Sequence, residues 1–198
     1  MKVLIACEFS GIVRDAFINK GHDAMSCDLL PTELPGPHYQ GDVLDILEDR
    51  WDMMIAHPPC TYLTIAGASN YNDDGRKNCR DQAIKFFLTL ENAAIPKIAI
   101  ENPVPFKSVQ NKIGKYHQII NPFDFGEPIR KRICLWLKNL PPLFSTLYTP
   151  VTPDKVYIRK SGGRSGEKYN TYYYQGKSAK ERSRFFLCIA DAMADQWG

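Results

Sequence analysis

The sequence predicts an α/β domain with a mostly parallel, twisted sheet and helices on both faces. Two observations carry this. Short apolar runs of strand length alternate with stretches whose apolar residues recur at helical spacing. Polar loops then mark the strand ends, at Glu8–Gly11, Asp28, Asp42, His57–Cys60 and Glu101–Pro103. Sheets of this kind bind ligands outside the carboxyl ends of their strands, so these loops define one functional rim. A length of 198 residues, 44% hydrophobic and 24% charged, fits one domain with its own core. The chain is therefore read as a single domain over 1–198, with a basic, tyrosine-rich excursion at about 139–180.

Lys2–Cys7 reads as a buried strand, followed by the loop Glu8-Phe9-Ser10-Gly11. Ile12, Val13, Ala16 and Phe17 lie on one helical face, and Gly21 ends that helix. His22–Cys27 is a second strand ending at Asp28, and the proline-rich Leu29–Gln40 is irregular. Asp52–Ala56 is a short strand running into His57-Pro58-Pro59-Cys60, and Thr61–Gly75 is a loop with Gly67 and Gly75 as hinges. Arg76–Ala94 is the clearest helix, with Ala83, Phe86, Phe87 and Leu90 on one face. Lys97–Ile100 is a buried strand ending at Glu101-Asn102-Pro103, Ile133–Leu137 is a late strand, and Arg182–Trp197 is a closing helix.

No apolar run approaches the ~18 residues that span a bilayer. The N-terminal run meets Glu8 too soon for a signal peptide, which predicts a cytoplasmic protein without a membrane partner. None of the six cysteines forms a C-x-x-C pair, so reduced thiols and no metal site are expected, with Cys7, Cys27 and Cys134 packed in the core. The formal charge is only +3, but Asp154–Arg184 holds nine Lys or Arg against three acids. Such an asymmetry suits a phosphate-bearing partner as well as a solvated loop.

Several rim residues carry chemistry. Phe9-Ser10-Gly11 lets backbone approach a ligand between a strand and a helix N-terminus, although it is not G-x-G-x-x-G. Asp28 is placed to accept from ribose hydroxyls and Asp42 from an exocyclic amine, and either suits a cap or turn equally well. Cys60, held after two prolines, is a nucleophile if positive charge or a helix N-terminus favours its thiolate. A zinc deaminase is excluded, because neither H-x-E nor P-C-x-x-C is present. Glu101 ends a buried strand, where a carboxyl is costly unless paired or used, and it could share a proton with a heterocyclic nitrogen. Arg130 and Arg132 alternate onto one face, suited to a phosphate or to positioning the glutamate.

In this order the motifs resemble the DNA cytosine-5 methyltransferase family. Cys7-Glu8-Phe9-Ser10-Gly11-Ile12 is similar to its D-L-F-x-G-x-G turn, and Gly41-Asp42-Val43 to its G-D-I segment. Asp52–Cys60, with Thr64-Ile65-Ala66-Gly67, is similar to D-x-L-x-G-G-P-P-C-Q-x-F-S-x-x-G. Pro96–Asn102 is similar to P-K-x-x-x-x-E-N-V, and Arg130–Ile133 to R-x-R-I. Val13, His57 and Thr61 depart from the pattern, standing where the family has glycine, glycine and glutamine. About forty residues separate Leu137 from the closing helix, so the likeness is to a small, phage-type member without a full target-recognition domain.

The resemblance implies a Rossmann-like S-adenosylmethionine-dependent methyltransferase fold. It implies cofactor contacts from Glu8, Phe9, Ser10, Gly11, Asp28, Leu29, Asp42 and Pro58, and catalysis by Cys60 and Glu101 with Arg130 and Arg132. It implies a nucleic acid partner, DNA as duplex or single strand, or a nucleotide. Arg159, Lys160, Arg164, Lys168 and Lys177 suit phosphate contacts there, with Tyr169, Tyr172, Tyr173 and Tyr174 interleaved for stacking. Two other readings stand beside it. The Pro-Pro loop also resembles the [DNS]-P-P-[YFW] loop of exocyclic-amine methyltransferases, and a non-catalytic nucleic-acid-binding protein could share the fold.

Overall fold

The structure is a computed structural model that describes residues 1–64, 74–129, 131–147, 155–158, 168–171 and 184–198, with backbone alone at 74, 155–158 and 168–171. Seven strands form one sheet: β1 (Lys2–Ala6), β2 (Asp23–Asp28), β3 (His38–Gln40), β4 (Met53–Ala56), β5 (Lys97–Pro103), β6 (Gln118–Ile120) and β7 (Ile133–Lys138). Their spatial order is β3-β2-β1-β4-β5-β7-β6. The first five in that order run parallel, and β7 is antiparallel to both β5 and β6. The helices are α1 (Ile12–Asn19), α2 (Asp74–Glu91), α3 (Lys107–Ile113) and α4 (Leu187–Trp197). A two-stranded antiparallel ladder, β8 (Lys155–Ile158) with β9 (Lys168–Thr171), lies within the basic excursion.

The two-residue period of the strands sorts their side chains onto two faces. Val3, Ile5, Met53 and Ile55 face a core closed by Val13 and Phe17 of α1 and by Ile189, Met193 and Trp197 of α4. Leu4, Ala6, Met54, Ala56 and Ile100 face a second core closed by Phe87 and Leu90 of α2 and by Val109 and Ile113 of α3. A strand buried on both sides must be apolar throughout, which is why β1 and β4 read as unbroken runs. This arrangement is the Rossmann-like S-adenosylmethionine-dependent methyltransferase fold, as expected from the sequence.

Several elements differ from the sequence expectation. The segment read as irregular up to Gln40 ends in β3, because Ser26–Asp28 offers His38–Gln40 a parallel partner. β5 continues through Pro103, since β7 goes on pairing with Glu101, Asn102 and Pro103 after β4 has stopped opposite Ile100. The closing helix starts at Leu187 rather than Arg182, and Phe186 before it is extended. The short α3 and β6 were not foreseen.

A buried cation organises the loop between β2 and β3. Arg14 is fully buried, and its guanidinium donates to Asp15 Oδ1 (2.8 Å), Ser26 Oγ and Thr32 Oγ1 (both 3.2 Å), Leu34 O (3.1 Å) and Pro35 O (3.2 Å). Five donors in a rigid fork thus tie 32–35 to α1 and β2. Gly11 and Gly36 close around it at φ 78° and 154°, and a Cβ on either would come within 2.6 and 2.7 Å of the guanidinium.

Candidate active site

The sheet register aligns the rim. Ala6 pairs with Cys27 on one side and Ala56 on the other, and Ala56 pairs with Ile100. One residue further along, Cys7, Asp28, His57 and Glu101 form a row across four parallel strands at their carboxyl ends.

The turn after β1 is shaped from within. Cys7 takes a left-handed φ of 59°. Glu8 is only 4% exposed, and its carboxylate accepts from Ser10 Oγ and Val13 N (both 2.8 Å) and Arg14 N (3.4 Å). Gly11, the residue before α1, has no side chain to cap it, so Glu8 supplies the acceptor that the helix N-terminus needs. Both Glu8 oxygens are committed to the turn, and Phe9 and Ser10 are buried in it.

Beside this turn lies a cavity of about 190 Å³, lined by Cys7, Cys27, Asp28, Leu29, Gly41, Asp42, Val43, Pro59 and Phe86. Three sequence-predicted cofactor residues, Asp28, Leu29 and Asp42, meet here. Phe9, Ser10, Gly11 and Pro58 do not line it. Asp28 Oδ1 accepts from Leu30 N (2.9 Å) and Asp42 Oδ1 from Leu44 N (3.0 Å), so each serves a turn through one oxygen. Their Oδ2 atoms take no hydrogen bond among the described residues. Burial, then the Asp28 carboxylate, pushes the Cys27 thiol up to about 12. The Cys7 thiol is raised further by the same causes, so both stay protonated at neutral pH. Cys27 and Cys134 are buried as expected, whereas Cys7 is half-buried on the cavity wall.

The Pro-Pro-Cys loop is pinned at both ends. The Pro58 carbonyl accepts from Asn102 Nδ2 at 2.7 Å. The Cys60 carbonyl accepts from Leu63 N, Thr64 N and Thr64 Oγ1, each at 3.1 Å. Phe106 N donates to Leu63 O at 3.1 Å, which ties the loop to the connection between β5 and α3. Cys60 is half-buried, and its thiol is raised, first by burial and then by the Glu101 carboxylate. Lys131 is the cation that opposes this, with help from the Cys60 amide and Thr64.

Glu101 lies beside His57, with Nδ1 3.4 Å from Oε2 and the side chains only 11% and 12% exposed. His57 Nε2 and Asn102 Oδ1 are buried without a hydrogen-bond partner among the described residues. Arg132 is exposed and makes no ion pair with Glu101 there. Arg130, Arg159, Lys160, Arg164 and Lys177 lie outside the described residues, and Lys168 opens β9.

Sequence reasoning passed over His57 as a partner of Glu101, having set it aside as a metal ligand and noted it as a departure from the family's glycine. It passed over Lys131 because the alternation selected the two flanking arginines. The same alternation places Lys131 on the opposite face and could have found it. Phe86 was assigned to the core, yet it reaches the cavity wall. Among the described residues no group of three or more His, Cys, Asp or Glu could hold a metal, and no helix is long and apolar enough to cross a membrane.

Fold and rim together define a protein of the methyltransferase-fold class. Comparison with one solved structure agrees in fold. The chain is similar to a protein described as a DNA modification methyltransferase encoded within an E. coli prophage, with TM-score 0.52, 17% identity, and 80% of this chain and 57% of that one covered. A methyltransferase of Entamoeba histolytica matches with TM-score 0.47 and 17% identity over 79% of this chain and 58% of its own. A DNMT2 mutant from Spodoptera frugiperda matches with TM-score 0.40 and 18% identity over 76% and 52%. The chain thus spans between half and three-fifths of the length of these proteins. No family model and no curated relative matches it.

Proposed function

We propose that the chain is an S-adenosylmethionine-dependent methyltransferase acting on carbon 5 of cytosine in DNA through a covalent Cys60 adduct. The observation that carries this reading is the meeting of Cys60 and Glu101 on one rim, beside the cavity of Asp28 and Asp42. The cavity suits the cofactor. Two carboxylates with an uncommitted oxygen each fit ribose hydroxyls and an exocyclic amine, and Val43, Phe86 and Pro59 fit the face of a purine. Glu8–Gly11 and Pro58 do not line it but adjoin its lining residues Cys7 and Pro59 in sequence. When bound, S-adenosylmethionine supplies an electrophilic methyl group.

Carbon 5 of cytosine is a poor nucleophile. The Cys60 thiolate would bond to carbon 6, and the electron pair of the 5,6 double bond would become available at carbon 5. Glu101, protonated at this step, would donate that proton to ring nitrogen 3 and accept from the exocyclic amine, where charge develops. Once carbon 5 carries the methyl group, loss of its proton to solvent water re-forms the double bond and breaks the carbon 6–sulfur bond, returning the thiolate. The base must lie outside a stack for Cys60 to reach it. Lys131 is the cation that acts on Cys60, and Arg132, Arg159, Lys160, Arg164, Lys168 and Lys177 would add phosphate contacts.

Incubation with methyl-labelled S-adenosylmethionine and DNA, RNA or cytosine nucleotides, followed by mass spectrometry of the nucleosides, tests the reading. Label in 5-methylcytosine supports it. Label on the exocyclic amine supports the amine-methylating alternative, and no label in any pool favours a binding protein without turnover.

A further inference from the structure

We infer that His57 is the positioning residue of Glu101, and that Phe185 holds His57 in place. This rests on the catalytic reading of Glu101 given above. The two side chains follow directly paired residues of adjacent strands, so the backbone register itself sets them side by side. At 3.4 Å the Nδ1–Oε2 contact is long for an N–H···O bond, and catalytic hydrogen bonds of this kind tighten when a substrate fills the site. An ionised carboxylate only accepts, so a neutral His57 must carry its proton on Nδ1 and leave Nε2 an acceptor. Glu101 Oε2 then accepts from His57 and keeps a second lone pair for the exocyclic amine of the base, and Oε1 is the oxygen that takes up the proton donated to ring nitrogen 3.

His57 is itself held. The Phe185 ring packs on the imidazole, with centroids 4.7 Å apart and planes 50° apart. Arg184, the preceding residue, forms a two-pronged ion pair with Glu33, from Nε to Oε2 at 2.7 Å and from Nη2 to Oε1 at 3.0 Å. Glu33 N in turn donates to Phe9 O at 2.8 Å. On the other side Lys131 Nζ lies 5.4 Å from the centre of the Phe186 ring. Residues 184–186 therefore connect, through Glu33, to the turn after β1, and they contact His57 and Lys131, the cation that acts on Cys60. These anchors explain why α4 starts only at Leu187.

The test uses the full chain with labelled histidine, whose ring tautomers are read from long-range proton–nitrogen NMR spectra. Neutral His57 is expected to be protonated on Nδ1. Glu101→Ala should move that proton to Nε2, and Phe185→Leu, which keeps apolar volume, should lower the Nδ1–H fraction. Protonation on Nε2 in the unaltered chain, or a tautomer indifferent to Glu101→Ala, overturns the pairing. A fraction unchanged in Phe185→Leu overturns the part given to Phe185. Turnover supplies a second measurement. His57→Leu should lower kcat about 10–100-fold with little change in KM, whereas His57→Asn, whose amide N–H lies near the place of Nδ1, should keep most activity. Equal losses in both overturn the positioning role. An unaltered chain without turnover would refute the catalytic reading instead, and the tautomer would still decide the pairing.

Discussion

His57 and Glu101 lie next to each other because Ala56 and Ile100 pair across β4 and β5, and their side chains meet at 3.4 Å. The carboxylate that would serve the base thus also acts on the nucleophile. Its negative charge is the second cause, after burial, of the raised Cys60 thiol, and Lys131 is the leading opposing charge.

That balance sets a pH dependence. Thiolate, not thiol, attacks, so a thiol held above its ordinary range reacts slowly at neutral pH and faster as pH rises through that range. Glu101→Gln removes a like charge and should move the alkylation profile of Cys60 to lower pH. Lys131→Met removes a cation and should move it to higher pH. Iodoacetamide labelling followed by peptide mass spectrometry measures both, and shifts in the opposite directions would contradict the charge assignment.

The cavity assignment is tested by cofactor affinity. Asp28→Ala should weaken S-adenosylmethionine binding by about 1–3 kcal/mol if Oδ2 holds a ribose hydroxyl. Asp28→Asn should weaken it less, because the Asx turn to Leu30 survives. Calorimetry that gives unchanged affinity for both variants would remove Asp28 from the site.

Asn102 fixes the loop through Pro58 O, a bond with both partners inside the protein. Asn102→Leu leaves that carbonyl without its donor and should cost about 1–3 kcal/mol in urea unfolding. It should also slow turnover, since Pro58 and Pro59 lead directly to Cys60. Full stability with full activity would mean the bond is dispensable.

The Arg14 cluster has a structural test. Arg14→Met keeps the stem but removes five hydrogen bonds, and an expected loss of about 2–4 kcal/mol would be accompanied by proteolytic cleavage within 29–37. Gly36→Ala should act in the same direction, because its Cβ would collide with the guanidinium. Unchanged thermal stability in both would contradict this role.

How far the sequence could be read follows from which signals are local. Unbroken apolar runs disclosed β1 and β4, and the 3.6-residue period disclosed α1 and α2, because burial imposes those patterns directly. β3 and β6 are three residues each, too short for any period to appear. That β7 runs antiparallel leaves no trace in its own side chains, since strand direction is a property of a pair. The rim loops were legible as polar breaks after apolar runs, and so were Asp28, Asp42, Cys60 and Glu101. Arg14 was not, because a helix arginine ordinarily reads as surface. Lys131 and His57 took their roles from tertiary packing against Phe186 and Phe185, far along the chain.

The central claim is a bond between Cys60 and the pyrimidine ring. A DNA substrate carrying 5-fluorocytosine cannot release its fluorine in place of the proton, so after methyl transfer the protein should stay bound to it covalently. The measurement is intact-protein mass spectrometry of that reaction, using a DNA on which methyl transfer to cytosine has been seen. The expected result is an adduct of protein plus oligonucleotide mapped to Cys60, absent in Cys60→Ala together with turnover. Methylation that continues in Cys60→Ala, with no adduct in the unaltered chain, would contradict the carbon-5 mechanism.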